Sequence, residues 1–184
     1  APSRLKSMAD ILSTGPVGSA AVGAVAGLPA ARLVASHFTV MTRNTSQVLV
    51  AGPAVVERAL GEKLSKEELG GAKVHLRSGV VDNVAEDEAG VMEQIRRFLS
   101  YMPLNTADMP ARQDPGSPDF DDPERTDESL LDIVPRERRK VYKMRPVIEA
   151  VVDNGSFFEI GRKWGRAIIT GLARLDGVPV AVFA

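Results

Sequence analysis

A chain of 184 residues with a formal net charge of -1 has room for one well-cored domain or two small units, and no overall basic field to draw it to nucleic acid or anionic membranes. At 44% hydrophobic and 26% charged, its composition is that of a globular protein rather than a disordered one. It contains no cysteine, which excludes disulfides, thiolate nucleophiles and sulfur-ligated zinc and fits a reducing compartment.

Residues 1–12 carry Leu5, Met8, Ile11 and Leu12 at helical spacing, which predicts a short amphipathic helix stopped at residues 13–16. Asp10 interrupts this segment, so it does not read as a signal peptide. Residues 17–22 are small and β-branched on both faces and predict a strand in the middle of a sheet. Residues 23–27 predict a glycine turn, and residues 28–36 a closely packed helix with Pro29 in its first turn. The apolar run is broken by Gly18, Gly23, Gly27 and Pro29 and is rich in alanine, so it makes a poor membrane span.

Residues 38–41 and 47–50 predict short strands separated by a polar turn, and Pro53 opens a helix to Leu60. Ser65-Lys66-Glu67-Glu68 has the pattern of a capping box, heading a short helix that ends at Gly70-Gly71. Residues 80–84 predict a strand. Residues 87–102 predict a helix with Val91, Ile95, Phe98, Leu99 and Met102 on one face, ended by Pro103. From 105 to 128 the composition changes to Pro, Asp, Gly, Ser and Thr, which predicts a solvated linker. Beyond it lie short helices at 129–134 and 146–153, a strand at 157–160, and a hairpin of 166–175 and 178–184 around Asp176-Gly177.

The common catalytic signatures are absent: no P-loop, no helical histidine pair, no nucleophile elbow. His75 reads as a structural hydrogen-bonding group, lacking an evident nucleophile beside it, and His37 as a surface or capping residue. Carboxylates at 62–68, 86–88 and 119–128 coincide with helix starts or the linker, which favours capping and solvation over metal binding. The basic run at 136–140 contains Glu137 and no interleaved aromatic, so it reads as a solvated helix end or subunit contact. Trp164 and Phe157-Phe158 read as core or interface anchors. The turn at residues 23–28 stands apart: main-chain N–H groups before a helix are able to stabilise charge on a carbonyl oxygen, while small residues there equally permit tight packing.

The order GAVAGLPAA, SHFTVMTRNTSQVLVAGP, EELGGAKVHLRSGVVDNVAEDE and IRRFLSYMP resembles the carboxyltransferase subunits of biotin-dependent acyl-CoA carboxylases. After the linker, LLDIVPRERRKVYKMRPVIEAVVDNGSFFEIGRKWGRAIITGLARLDGVPVAVFA resembles the start of the second half of the same subunits. The resemblance covers the chain from about Pro16 onward. It implies an α/β, crotonase-like (ClpP/crotonase) fold of β-β-α units in two tandem halves. Residues 1–104 would be the C-terminal part of the first half, 105–128 a polar linker and 129–184 the start of the second. It further implies transfer of a carboxyl group from carboxybiotin, on a separate carrier protein, to the α-carbon of an acyl-CoA, with no metal in this subunit.

The implied partners are acyl-CoA, a biotin carboxyl carrier or biotin carboxylase subunit, and further copies of the subunit, from dimer to hexamer; the implied location is cytoplasmic, or the mitochondrial matrix in a eukaryote. Gly23, Ala26, Gly27 and Leu28 are expected to line the acyl-CoA pocket, supported by Gly70, Gly71 and His75. Both oxyanion loops are expected outside residues 1–184, so no catalytic residue is assigned and the chain is expected to be an inactive internal piece of a longer subunit. Many family members have Gly-Gly where this chain has Gly27-Leu28, and Pro-Tyr-Asp where it has Val141-Tyr142-Lys143, reversing a local charge. A biotin-dependent acyl-CoA decarboxylase subunit and a non-catalytic assembly module of the same fold are the alternatives.

Overall fold

The computed structural model describes residues 4–184, with side chains from Lys6 onward. The first part runs α1 (Arg4–Leu12), β1 (Gly18–Ala21), β2 (Ala24–Ala26), α2 (Leu28–Val34), β3 (Phe38–Thr42), β4 (Gln47–Leu49), α3 (Pro53–Leu60), α4 (Lys66–Gly70), α5 (Ala72–Ser78), β5 (Asn83–Ala85) and α6 (Glu88–Ser100). The second comprises α7 (Leu130–Ile133), α8 (Met144–Val151), β6 (Phe158–Ile160), β7 (Thr170–Leu175) and β8 (Val178–Phe183). The first three residues of the helix expected at 1–12 lie outside the described residues.

Among the described residues the strands form three small sheets: parallel β1-β3-β5, parallel β2-β4 and antiparallel β6-β7-β8. β3 is the central strand of the first, and all five of its residues are buried. This corrects the expected central place of β1, which pairs only with β3 among the described strands. Only Ala21 of β1 is buried and its other three residues are half-buried, as befits the edge of the described strands, with α6 packed beside them. Gly18, for example, lies against Ile95 of α6, whose Cγ2 would stand 3.3 Å from an added Cβ.

Three further expectations shift. Residues 23–27 are not a plain turn but contain β2, paired in parallel with β4. α4 ends at Gly70 as expected, but a further helix, α5, follows at once, because Gly71 leaves helical geometry for one residue only and heads the next turn. β5 starts later than residue 80, since Val81 points into the core and the Asp82 carboxylate accepts from both the N–H and the hydroxyl of Thr39 at 2.8 Å. On α6, Val91 and Phe98 are buried, but Leu99 is on the exposed shoulder. The hairpin turn forms as expected, with Asp176 and Gly177 both at positive φ (53° and 73°).

Residues 105–128 contain no helix or strand, yet they are tied to the second part. Gln113 N–H donates to the Gly177 carbonyl at 2.9 Å, Arg125 to the Val152 carbonyl at 2.9 Å, and Asn154 N–H to Asp121 at 2.8 Å. The two parts share one aromatic core: Phe38 stacks on Phe98 and meets Phe158 of β6 edge-on, with ring centroids 5.0 and 5.5 Å apart. Arg97 of α6 donates to the carbonyls of Gly155 and Phe157, and the Tyr101 hydroxyl to that of Ser156. Phe158→Ala in the intact protein is therefore expected to cost about 3–5 kcal/mol of stability in urea unfolding. A loss below about 1 kcal/mol would contradict a shared core.

Candidate functional site

The β2–α2 junction is built from four residues whose side chains are small or turned outward. Parallel pairing sets Val25 opposite Val48, the Gly27 N–H donates to the Leu49 carbonyl at 3.1 Å, and the Gln47 N–H donates to the Gly23 carbonyl at 3.3 Å. Because peptide groups alternate along a strand, those of Gly23, Val25 and Gly27 face β4 while those of Ala24 and Ala26 face the opposite flank. No described strand covers that flank. The side chains of Ala24, Ala26 and Leu28 are exposed, Leu28 at 39%.

A Cβ on Gly23 or Gly27 would meet nothing within 4 Å, so close packing does not require glycine at either position. Gly27 is required for another reason: its φ of 66° lies in the region L-residues avoid. Tight packing falls instead to Ala30, which is buried where α2 meets the core. The structure thus brings Gly23, Ala26, Gly27 and Leu28 together as one open, largely side-chain-free surface.

Gly70, Gly71 and His75 stand behind this surface. The buried His75 side chain donates from Nε2 to the Val48 carbonyl at 2.6 Å. Gly70 approaches the same carbonyl, and an added Cβ would sit 2.2 Å from its oxygen. Gly71 is constrained less tightly: the Glu67 carboxylate nearest to an added Cβ is able to swing away, and the Glu67 carbonyl oxygen would stand 2.7 Å from it. Since Val48 lies on the strand paired with β2, these contacts fix the register of the open edge. His75 is a hydrogen-bonding group of the core, as expected; His37 accepts the Val17 N–H at Nδ1, 3.1 Å away, and secures the start of β1.

The remaining sequence candidates separate cleanly. The capping box forms, with Ser65 N–H donating to Glu68 Oε2 at 2.8 Å and Glu68 N–H to Ser65 Oγ at 3.2 Å. Asp87 caps α6 by accepting the Gly90 N–H at 2.8 Å. No cluster of three or more metal-ligating side chains occurs among the described residues. Nor is any described helix long and apolar enough to cross a membrane. The basic run at 136–140 is exposed, and Lys140 pairs with Glu137 at 3.3 Å.

Sequence reasoning missed one polar group. Asn83, on the edge strand β5, donates from Nδ2 to the Glu159 carbonyl at 3.1 Å and accepts the Gly161 N–H at 3.2 Å, so its amide joins two sheet edges. The Glu159 carboxylate holds Arg145 as a two-point pair and raises the Arg145 pKa above the ordinary arginine value. An Asn-Val-Ala strand gives no local sign of a partner 76 residues away.

Two substitutions test this support. Gly70→Ala is expected to destabilise the protein by more than an exposed Gly→Ala change, because the new methyl meets backbone rather than a movable side chain. Ser65→Ala is expected to cost about 1 kcal/mol. The Ser65 backbone N–H and hydroxyl hold the Glu68 carboxyl below its unfolded value of 4.5. The backbone share of that contribution survives Ser65→Ala; the hydroxyl's share, present above pH 4.5 and lost as pH falls through the lower folded value, does not, so the Ser65→Ala deficit should shrink in acid. A deficit independent of pH in thermal unfolding would contradict the capping box.

With this geometry described, the likeness to known proteins becomes specific. The carboxyl transferase domain family matches residues 16–184. The chain is 38% identical over 167 residues to the propionyl-CoA carboxylase carboxyltransferase subunit of Haloferax mediterranei, covering 90% of this chain and 32% of that protein. It is 40% identical over 150 residues to the methylmalonyl-CoA decarboxylase subunit alpha of Veillonella parvula, covering 81% and 29%. Among solved structures it superposes on transcarboxylase 12S, crystallised as a hexamer with methylmalonyl-coenzyme A bound, with a TM-score of 0.85 and 27% identity over 97% of this chain and 33% of that one. The chain spans about a third of the length of the relatives it matches. Its fold is accordingly the α/β, crotonase-like fold of those enzymes. On the match across residues 16–184, the chain belongs to the carboxyl transferase domain family.

Proposed function

We propose that this chain is part of the carboxyltransferase component of a biotin-dependent acyl-CoA carboxylase, and that its β2–α2 edge forms one wall of the acyl-CoA pocket. The observation that carries the reading is the coincidence of the family match with an open backbone flank at Ala24 and Ala26. Carboxybiotin, held by a separate carrier protein, would supply the carboxyl group: its N–carboxyl bond would break as the carboxyl carbon bonds to the acyl-CoA α-carbon, and the proton given up by that carbon would end on the biotin nitrogen so freed.

This chain's own residues perform the binding. Gly23 and Gly27 keep the backbone free of side chains, so a thioester lies close to it, and the outward peptide groups of Ala24 and Ala26 offer hydrogen bonds along its length. Leu28 narrows the end of that surface with an exposed apolar side chain. His75, Gly70 and Gly71 hold β4, and through it β2, in place.

In this reading residues 1–104 are the C-terminal part of one crotonase-like half, 105–128 the connection and 129–184 the start of the second half. The intact subunit works with a biotin carboxyl carrier or biotin carboxylase subunit, assembles as a dimer to hexamer, and resides in the cytoplasm, or in the mitochondrial matrix of a eukaryote. A second reading, favoured by the Veillonella relative, is a decarboxylase subunit of the same fold running in the opposite direction.

The intact subunit, reconstituted with its biotinylated partner, ATP and labelled bicarbonate, is expected to fix label into propionyl-CoA or acetyl-CoA. Residues 1–184 alone are expected to show no turnover, and turnover by them would overturn that part of the reading. Leu28→Gly is expected to shift the ratio of kcat/KM between longer and shorter acyl-CoAs by about tenfold, the scale of one methylene in an apolar pocket. An unchanged ratio would remove Leu28 from the pocket; release of carbon dioxide from a carboxylated acyl-CoA without fixation would favour the decarboxylase.

A further inference from the structure

The antiparallel sheet carries two chemically opposite surfaces at the two ends of β7. At the end before Thr170, residues 161–168 form a tight double turn, with the Trp164 N–H donating to the Gly161 carbonyl and the Ile168 N–H to that of Gly165, at 2.9 and 3.0 Å. Gly161 and Gly165 both have positive φ, 70° and 58°. The loop presents Arg162, Lys163, Trp164 and Arg166 outward and contains no acid. Lys163 and Arg166 form no ion pair among the described residues, and Arg162 reaches Glu159 only at 3.7 Å.

Trp164 is both fixed and exposed. Its indole lies over Gly79 so closely that an added Cβ there would stand 2.7 Å from the ring, yet the residue is 58% exposed. An aromatic ring held in place beside free cations is the composition of an interface anchor, since its side-chain ordering is already complete before binding.

At the other end, past Leu175, residues 112–128 are strapped to the Asp176-Gly177 turn. Gln113 N–H donates to the Gly177 carbonyl, Arg112 pairs with Asp176, and Phe120 lies against Gly177. This segment presents Pro115, Pro118 and Pro123 on its surface beside Asp119, Asp122, Glu124 and Glu128, all exposed. None of those four carboxylates forms an ion pair among the described residues. Exposed proline rings with neighbouring carboxylates complement an indole flanked by arginine and lysine.

The two surfaces are separated by the length of β7, about 17 Å for six residues, so they do not meet within one copy. We infer that they meet between copies: the Trp164 loop of one molecule docks on the proline-carboxylate segment at 115–128 of a second, in a head-to-tail contact. Such a contact is heterologous, and it closes into a ring when the rotation between copies allows. The other basic run, at 136–143, is the less suited partner for that segment, because Glu137 already takes Lys140 and no fixed, exposed indole accompanies it. This contact stands independently of the carboxyltransferase reading.

The test mixes isotope-labelled and unlabelled intact protein and joins amines to touching carboxylates with a carbodiimide, a cross-linker that adds no length. Mass spectrometry is expected to find Lys163 joined to Asp122 or Glu124 across labelled and unlabelled copies. Trp164→Ala is expected to weaken association about thirtyfold in sedimentation, the effect of losing an interface anchor. Lys163→Glu with Arg166→Glu is expected to abolish the contact, and adding Asp122→Lys with Glu124→Lys to restore it, which separates charge pairing from misfolding. Cross-links from the acidic segment only to Lys140 or Lys143, only within one copy, or absent altogether would overturn the inference, as would a failure of the double reversal to restore association.

Discussion

The carbonyl of Val48 is the point on which the candidate site depends. It is buried, and a buried carbonyl without a donor is costly, so the His75 Nε2–H at 2.6 Å satisfies a need of the core before it serves any ligand. Gly70 presses its bare Cα against the same oxygen. Together they fix a three-residue strand that pairing alone would leave loose, and β2 inherits its position from that strand. The open edge at Ala24 and Ala26 is therefore held from behind, and the front remains free of side chains.

A second constraint joins the two parts of the chain. Arg97 lies over the Phe158 ring at 5.4 Å and Arg174 over Tyr101 at 5.0 Å, while the two rings are near-parallel between them. The guanidinium groups also take up carbonyls at the boundary, Arg97 those of Gly155 and Phe157 and Arg174 that of Ser100. Charge, aromatic faces and backbone acceptors are thus matched in one joint. The polar segment at 105–128 adds ties to the second part but no apolar core of its own.

Features set by neighbouring residues were legible in the sequence. Ser65 and Glu68 are three residues apart, Asp176-Gly177 favours positive φ locally, and Asp87 stands directly before its helix, so each could be read without knowing the fold. Features set by distant partners were not. β2 read as a turn because three small residues become a strand only when β4 is beside them. β1 read as a central strand because its small apolar residues carry the pattern of a strand buried on both faces, although only Ala21 is buried. α5 was hidden by Gly70-Gly71, whose bare Cα atoms answer to Val48 and Glu67 rather than to a helix end alone. Of the candidate site, resemblance supplied the residues that are proposed, whereas the outward direction of the Ala24 and Ala26 peptide groups required the register of β2 on β4.

The central claim, that this edge meets the acyl-CoA, is tested most directly by amide hydrogen exchange on the intact subunit with and without a non-reactive acyl-CoA analogue. Slowed exchange at Ala24, Ala26 and Leu28, with no change at Gly27, whose N–H is already bonded to Leu49, is the expected result. Unchanged exchange at all three, with protection appearing elsewhere in the subunit, would contradict it.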